Sequence, residues 1–200
     1  MPRFIQRLYP ERIWAFSQIK DAVFLTFDDG PIPEITPWVL DELKKYSAKA
    51  TFFCIGENVQ KHPEIFKRVL SEGHVVGNHT FNHLRGTQTA TATYIENILL
   101  AERYIDSKLF RPPYGRITPT QAKQLKQKGF KIVMWSIISF DYNATISKEK
   151  CLQNVLKNIK PGSIIVFHDS LKAAKNLRYV LPKVLGFIEE KGLVCRPIIQ

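Results

Sequence analysis

Residues 22–31 read Ala-Val-Phe-Leu-Thr-Phe-Asp-Asp-Gly-Pro, in which a run of uncharged side chains is followed by two aspartates and then by Gly-Pro. The apolar, β-branched and aromatic residues at 22–27 predict a buried strand. Asp28 and Asp29 stand where that strand ends, and the following Gly-Pro is typical of a turn. The stretch therefore predicts a strand that delivers a pair of carboxylates to one end of a sheet.

Six further runs of the same kind predict strands at 50–55, 74–77, 109–111, 130–135, 163–167 and 193–195. Segments with helical periodicity or helix punctuation lie between most of them, at 36–46, 59–70, 94–105, 118–128, 147–159 and 173–190. Gly73, Gly129 and Gly192 stand where helix C-caps belong. This alternation predicts a single α/β domain with a parallel sheet, either open or closed into a barrel.

The composition fits one globular domain, since 200 residues with 44% hydrophobic content can bury a large core. Cys54, Cys151 and Cys195 are odd in number and far apart, which favours buried thiols over a disulfide framework. The sequence as written shows neither a signal peptide nor a membrane span. This predicts a cytoplasmic protein, or one of the cell envelope or exterior if a leader has been removed.

The chain is strongly basic. Its 29 Lys and Arg against 18 Asp and Glu give a formal net charge of +11, which favours encounter with polyanions such as anionic cell-wall polymers or lipid headgroups. The lysines are dispersed, however, and no basic stripe is interleaved with aromatic residues. These features argue against nucleic acid as a partner.

Polar clusters follow five of the predicted strands. They are Asp28-Asp29 after the first strand, Asn78-His79 after the third, Arg111 at the end of the fourth, Asp141 just past the fifth and His168-Asp169 after the sixth. Parallel α/β folds build their sites at the carboxyl ends of strands. The clusters are therefore expected to meet at one rim of the sheet.

His79 and His83 lie four residues apart, so that one helical turn would direct both imidazoles toward a single metal ion. Taken alone, such a pair is equally well explained by surface or helix-capping histidines. With an aspartate from the first strand, the set becomes two histidines and one carboxylate, which leaves coordination positions open for water and substrate. The combination favours a metal site.

Two adjacent aspartates would repel each other unless a cation neutralises one of them. We expect one of Asp28 and Asp29 to bind the metal and the other to take a proton from water, whereas the alternative is a structural turn capped by Asp29. Arg111 is expected to hold an aspartate ionised through a bidentate hydrogen bond, although it could pair with a surface acid instead.

The two prolines after Arg111 are expected to keep the backbone extended and to aim Tyr114 inward. His168 ends an apolar strand, where it is either a core histidine with satisfied hydrogen bonds or a general acid for a leaving group. Asp141 could raise the pKa of His168. Together, these residue types predict metal-assisted hydrolysis.

The motifs resemble those of the polysaccharide deacetylases, also called the NodB-homology domain or carbohydrate esterase family 4. The most specific segments are Thr-Phe-Asp-Asp-Gly-Pro at 26–31 and Arg-Pro-Pro-Tyr-Gly at 111–115, and His-Thr-Phe-Asn-His at 79–83 is similar to the family's metal motif. The resemblance implies a distorted (β/α)7 barrel with parallel strands. We expect this domain at 21–200 and an N-terminal arm at 1–20 that packs on the barrel.

For the site, the resemblance implies that Asp28 is the catalytic base and that Asp29, His79 and His83 bind one divalent metal ion. Zn²⁺ is expected first, with Co²⁺, Ni²⁺ or another divalent ion as alternatives. It also implies that Arg111 holds the base, that the Tyr114 amide helps to bind the oxyanion, and that His168 is the general acid, with Asp141 adjusting the pKa of His168. The residues implied to contact the substrate are Val166, Tyr142 and Trp135, and Val166 receives the acetyl methyl group.

The expected reaction is removal of the N-acetyl group from an N-acetylglucosamine-type sugar in a polysaccharide, peptidoglycan or oligosaccharide by a monomeric enzyme. The partner glycan could be an anionic cell-wall or lipid-linked one. Asp141-Tyr142 stands where the family tends to have Asp-Trp, which leaves the identity of the substrate open. Two other functions also stay open, namely O-deacetylation of a polysaccharide such as xylan and sugar binding without catalysis.

Overall fold

A computed structural model describes residues 7–199 and shows a parallel sheet flanked by helices. The described range contains the strands β1 (Ala22–Asp28), β2 (Thr51–Cys54), β3 (Val75–Asn78), β4 (Leu109–Phe110), β5 (Lys131–Ile132), β6 (Ile137–Ile138), β7 (Ile164–His168) and β8 (Val194–Cys195). Its helices are α1 (Thr36–Lys45), α2 (Gly56–Lys61), α3 (Pro63–Ser71), α4 (Thr91–Glu102), α5 (Pro119–Gln127), α6 (Lys148–Leu156) and α7 (Ala174–Glu190).

The strands lie in the order β5-β4-β3-β2-β1-β7-β6, with β8 as a second neighbour of β1, and every pair is parallel. The sheet curls into an incomplete barrel, and within residues 7–199 no ladder joins β5 to β6. The predicted single-domain parallel α/β fold is confirmed. The expected strand at 130–135 is paired only at β5, and a further short strand, β6, follows it, so that the described residues contain eight strands.

Local sequence signals set the ends of several helices. The predicted helix at 59–70 is wrong in detail, because His62 leaves the helical conformation (φ −129°, ψ 56°) and Pro63 begins α3. A proline disfavours helical geometry at the residue before it but fits the first turn of a helix. Thr118 and Gln121 form a capping box at the start of α5, where Pro119 is the first helical residue.

Alternation along β1 decides which side chains face the interior of the curled sheet. Leu25 and Phe27 belong to one buried core, in which Phe27 stacks on Phe52 with ring centroids 5.1 Å apart. Phe24 belongs to the second core, and Thr26 and Asp28 share its side of the strand. Because β1 is buried along its whole length between β2 and β7, Asp28 reaches the rim from the centre of the sheet.

Part of the expected N-terminal arm makes close contacts with the sheet. Trp14 is buried, Ile13 pairs with Val133 beyond β5, and Ala15 pairs with Ser163 before β7. Residues 1–6 of the arm lie outside the described residues, and the division into 1–20 and 21–200 stays a prediction. Within the described part of the chain, no helix has both the length and the apolar character needed to cross a bilayer.

Candidate functional site

A cavity of about 690 Å³ opens at the carboxyl end of β1. Its lining brings together Asp28, Asp29, His79, His83 and His168, which come from three different strands and the segments that follow them. Two further predicted residues stand behind this lining, since Arg111 and Asp141 are fully buried and contact Asp28 and His168. The predicted meeting of polar clusters at one rim is therefore confirmed.

Asp29, His79 and His83 face one another closely enough to hold a single cation. One potential ligand atom from each residue lies within 4.8 Å of the others. The Oδ1 atom of Asp29 is 3.3 Å from Nε2 of His83 and 3.8 Å from Nε2 of His79. His79 donates its Nδ1–H to the Arg111 carbonyl at 2.7 Å, which orients the ring and leaves Nε2 free to bind a metal.

The two histidines meet through a tight loop, so the expected helical turn between them is wrong. Residues 79–83 follow β3 without helical structure, and Thr80 and His83 adopt left-handed backbone angles (φ 66° and 61°). The side chain of Asn78 supports this path by accepting a hydrogen bond from the Thr80 amide. The imidazole centroids of His79 and His83 are 5.2 Å apart, so the loop still brings the two rings together.

The electrostatics of this trio favour binding of a cation. Burial lowers the pKa of His79 to about 4, so its imidazole is neutral and offers a lone pair. Burial raises the pKa of Asp29, but the neighbouring His83 and His168 imidazoles more than compensate, and the net shift is downward. Oδ1 of Asp29 is buried and accepts no hydrogen bond of good geometry within residues 7–199. A cation would satisfy that oxygen.

Asp28 is held by a buried guanidinium. Nη1 of Arg111 donates to Oδ1 of Asp28 at 2.6 Å and to the Thr26 hydroxyl at 2.7 Å. Nε and Nη2 of Arg111 donate to the carbonyls of Val133 and Met134 at 3.2 and 3.0 Å. The expected pairing with an aspartate is present, but through one carboxylate oxygen rather than two. Arg111 therefore fixes Asp28 against β1 and the segment after β5.

His168 and Asp141 form a second charge pair at the opposite side of β1. The Asp141 carboxylate accepts hydrogen bonds from Nδ1 of His168 and from its backbone amide, both at 2.8 Å. Burial alone would lower the pKa of His168, but the charge and hydrogen bond of Asp141 raise it to about 9. The imidazole is therefore protonated at neutral pH and can donate a proton into the cavity.

This shift predicts a pH-dependent stability of the metal-free protein. Histidine has an ordinary pKa of about 6.5 in an unfolded chain, so the protonated His168 stabilises the fold fully below that value. The contribution is lost as the pH rises through about 9. We expect the free energy of unfolding, measured with urea after chelation, to fall across this window. A His168→Gln variant should show a flatter profile, and a wild-type profile just as flat would contradict the assignment.

The predicted substrate-contacting residues line the cavity, but Tyr114 is placed differently from expectation. Trp135, Val166 and Tyr142 all belong to the lining. The Tyr114 ring is 55% exposed at the rim instead of pointing inward, because residues 113–115 form a 3-10 turn in which Tyr114 has φ 60°. Its amide makes no hydrogen bond to the rest of the described chain. Gly115 allows the turn, since a Cβ atom there would lie 2.6 Å from the Trp135 ring.

Asp169 is a site residue to which the sequence analysis gave no role. Its fully buried carboxylate accepts hydrogen bonds from the Gly30 amide at 3.0 Å and from the Thr36 hydroxyl at 2.6 Å. A Cβ atom on residue 30 would lie 2.0 Å from Oδ2 of Asp169, so only glycine fits. Burial raises the pKa of Asp169 to about 8. Through these two hydrogen bonds, the carboxyl group stabilises the turn in which Asp29 adopts φ 86°.

Known proteins share both the sequence and the structure of this chain. A family model described as polysaccharide deacetylase matches residues 17–133. A peptidoglycan-N-acetylglucosamine deacetylase of Bacillus cereus is 42% identical over 157 residues, which cover 76% of this chain. The match spans 57% of that relative's length. A chitooligosaccharide deacetylase of Bradyrhizobium sp. is 37% identical over 201 residues, which cover 90% of each chain.

A solved structure extends the likeness to the whole fold. The crystal structure of the Bc1960 peptidoglycan N-acetylglucosamine deacetylase in complex with 4-naphthalen-1-yl-N-oxidanyl-benzamide matches with a TM-score of 0.90 and 35% sequence identity. The alignment covers 99% of this chain and 95% of that chain. Because the family model matches more than half of the chain and these relatives align along most of it, the protein belongs to the polysaccharide deacetylase family.

Proposed function

We propose that the protein is a metal-dependent hydrolase that removes the N-acetyl group from an N-acetylglucosamine-type sugar in a polysaccharide, peptidoglycan or oligosaccharide. The observation that carries this proposal is the single cavity into which the Asp29-His79-His83 trio, Asp28 and His168 all project. The proposal is supported by relatives named as deacetylases of peptidoglycan and chitooligosaccharide.

Asp29, His79 and His83 would hold the cation, and we propose Zn²⁺ as its identity. One carboxylate with two imidazoles suits zinc and leaves positions free for other ligands. The fit is supported by the buried, unpartnered Oδ1 of Asp29 and by the hydrogen bond that leaves Nε2 of His79 available. A bound divalent cation supplies Lewis acidity, which polarises a carbonyl oxygen and makes water more acidic.

Asp28 acts as the general base in this proposal. Its hydrogen bond with Arg111 fixes the carboxylate beside the metal trio, in a cavity that it helps to line. A carboxylate held there takes a proton from the attacking water as the new carbon–oxygen bond forms. Arg111 lies behind Asp28 and does not line the cavity, so it positions the base without touching the substrate.

The tetrahedral oxyanion that follows needs a donor, and its collapse needs an acid. The unpaired amide of Tyr114 points to the first role, because an N–H that lacks a protein partner is available to a developing negative charge. His168 supplies the proton to the leaving nitrogen, since an amine leaves poorly unless it is protonated. Asp141 keeps the imidazole charged and oriented through Nδ1, so that Nε2 carries the transferable proton.

The walls of the cavity fit an acetylated sugar. Val166 and Trp135 are almost fully buried and form an apolar floor suited to the acetyl methyl group. Tyr142 is 39% exposed and packs edge-on against His168 with ring centroids 4.7 Å apart. An exposed aromatic ring at this place can stack on the apolar face of a sugar.

Removal and return of the metal test the proposal directly. We expect acetate release from N-acetylglucosamine oligomers and from peptidoglycan, complete loss after chelation, and recovery when Zn²⁺ is added. Metal content is measured in parallel by mass spectrometry of the protein solution. Release that persists in demonstrably metal-free protein would contradict metal dependence, and release only from acetate esters would favour O-deacetylation instead.

A further inference from the structure

Two cationic side chains lie in or beside the cavity wall and take no part in the chemistry above: Lys172 lines the cavity, and Arg85 packs on the lining residue Tyr114. Arg85 follows the histidine loop after β3, and Lys172 follows β7. In the sheet, β3 and β7 lie on different sides of β1, so the two residues belong to segments on different sides of the strand that carries Asp28. Neither residue forms a salt bridge with a carboxylate of residues 7–199.

Arg85 is held at the rim by an aromatic ring. Its Cζ atom lies 4.2 Å from the centroid of the Tyr114 ring, and Tyr114 in turn packs edge-on against His83 at 4.7 Å. Stacking of this kind restrains the guanidinium and leaves its N–H groups free for an anion. Arg85 is half-buried and packed on Tyr114, so its guanidinium is restrained beside the cavity wall.

Lys172 contributes the second charge. It belongs to the cavity lining next to Leu171, whose side chain is 64% exposed. The carboxylates of that lining are Asp28 and Asp29, and both are committed to Arg111 or to the metal trio. An incoming anion would therefore meet no competing free carboxylate within the described lining.

We propose that Arg85 and Lys172 bind carboxylates on the sugars that flank the reacting N-acetylglucosamine unit. The substrate would then be an acidic amino-sugar polymer, such as a glycan in which every second sugar is N-acetylmuramic acid with its lactyl carboxylate. Alternation places one carboxylate on each neighbour of the reacting sugar, which matches one cation on each side. This inference rests on the proposed deacetylation and selects among its substrates.

The test compares one glycan in two forms. A muramyl tetrasaccharide with free lactyl carboxylates is paired with the same compound carrying amides, and chitotetraose serves as a neutral third substrate. We expect kcat/KM to favour the carboxylate form, mainly through KM. Arg85→Gln and Lys172→Gln should each lower the carboxylate-to-amide ratio by about fivefold, the value expected for a partly exposed ion pair, and together by about 20-fold. The preference should also weaken as salt is raised.

Lys128→Gln is the matched control, because Lys128 is exposed at the end of α5 and does not line the cavity. It should leave the ratio unchanged. Equal ratios in wild type and both variants, with all three substrates deacetylated, would overturn the inference and leave the proposed function standing. Absence of acetate from all three would overturn the proposed function. In that case, calorimetric binding of both glycan forms to chelated protein still decides the inference, since it requires tighter binding of the carboxylate form.

Discussion

An Asp28→Asn variant is expected to lose about three orders of magnitude in kcat while still binding its metal ion, since a general base contributes roughly 10²- to 10⁴-fold. Asparagine keeps the shape of the side chain and an oxygen that can accept from Arg111, but it cannot take a proton from water. The proposed ligand trio of Asp29, His79 and His83 is untouched by the change. Turnover is measured as acetate release, and zinc affinity by competition with a chromogenic chelator.

Asp21→Asn provides the control at the other end of the same strand. Asp21 precedes β1, is exposed and pairs with Arg196 at the surface, so its neutralisation should change kcat less than twofold, in keeping with a surface ion pair. Full activity of Asp28→Asn would refute its assignment as the base. Loss of zinc together with activity would show instead that Asp28 helps to hold the metal, which reverses the roles of the two aspartates.

The sequence was sufficient to predict the sheet and its rim because those features depend on local patterns. Strand β1 is recognisable by its uninterrupted apolar run, and the parallel arrangement follows from strands that alternate with helices. Once the strands are parallel, polar residues placed after them must share one edge. It was therefore possible to predict, without any knowledge of side-chain contacts, that Asp28, His79, Arg111 and His168 lie at one edge of the sheet.

Other features depend on backbone geometry that spacing does not specify. The interval between His79 and His83 fits a helical turn, but the left-handed angles at Thr80 and His83 produce a loop instead. The same limit applies to Tyr114, where the prolines predicted extended backbone and the chain forms a 3-10 turn. In each case the residue type tolerates several conformations, and the surrounding structure selects one.

The role of Asp169 lay further out of reach, because it rests on contacts between distant parts of the chain. Its partners, Gly30 and Thr36, precede it by 139 and 133 residues. The available signal was the position of Asp169 beside His168 at the end of a strand adjacent to β1. That position indicates that Asp169 lies near Asp28 and Asp29. Only the folded structure reveals that its carboxyl group holds the turn after Asp29 through hydrogen bonds to Gly30 and Thr36.

Substitution of Arg111 by methionine is expected to cause the largest loss of stability, about 3–5 kcal/mol, because it leaves the buried charge of Asp28 without its partner. The side chain of Arg111 is fully buried and donates to Asp28, Thr26 and the carbonyls of Val133 and Met134. Methionine replaces the aliphatic part of the arginine side chain but satisfies none of these acceptors. Such a loss is a large share of the roughly 5–15 kcal/mol by which a domain is stable, and urea unfolding measures it.

The double variant Asp28→Asn/Arg111→Met separates lost charge pairing from lost packing. If the unpaired charge of Asp28 causes most of the damage, removing that charge as well should recover about 1–3 kcal/mol relative to the sum of the single changes. Arg116→Met is the control, since Arg116 is exposed five residues further on and should cost less than about 0.5 kcal/mol. An Arg111→Met variant as stable as this control would mean that water or a rearranged side chain solvates Asp28. Additive single effects would mean that Arg111 supports the fold through the carbonyls of Val133 and Met134, and its assignment as the holder of the base would then be wrong.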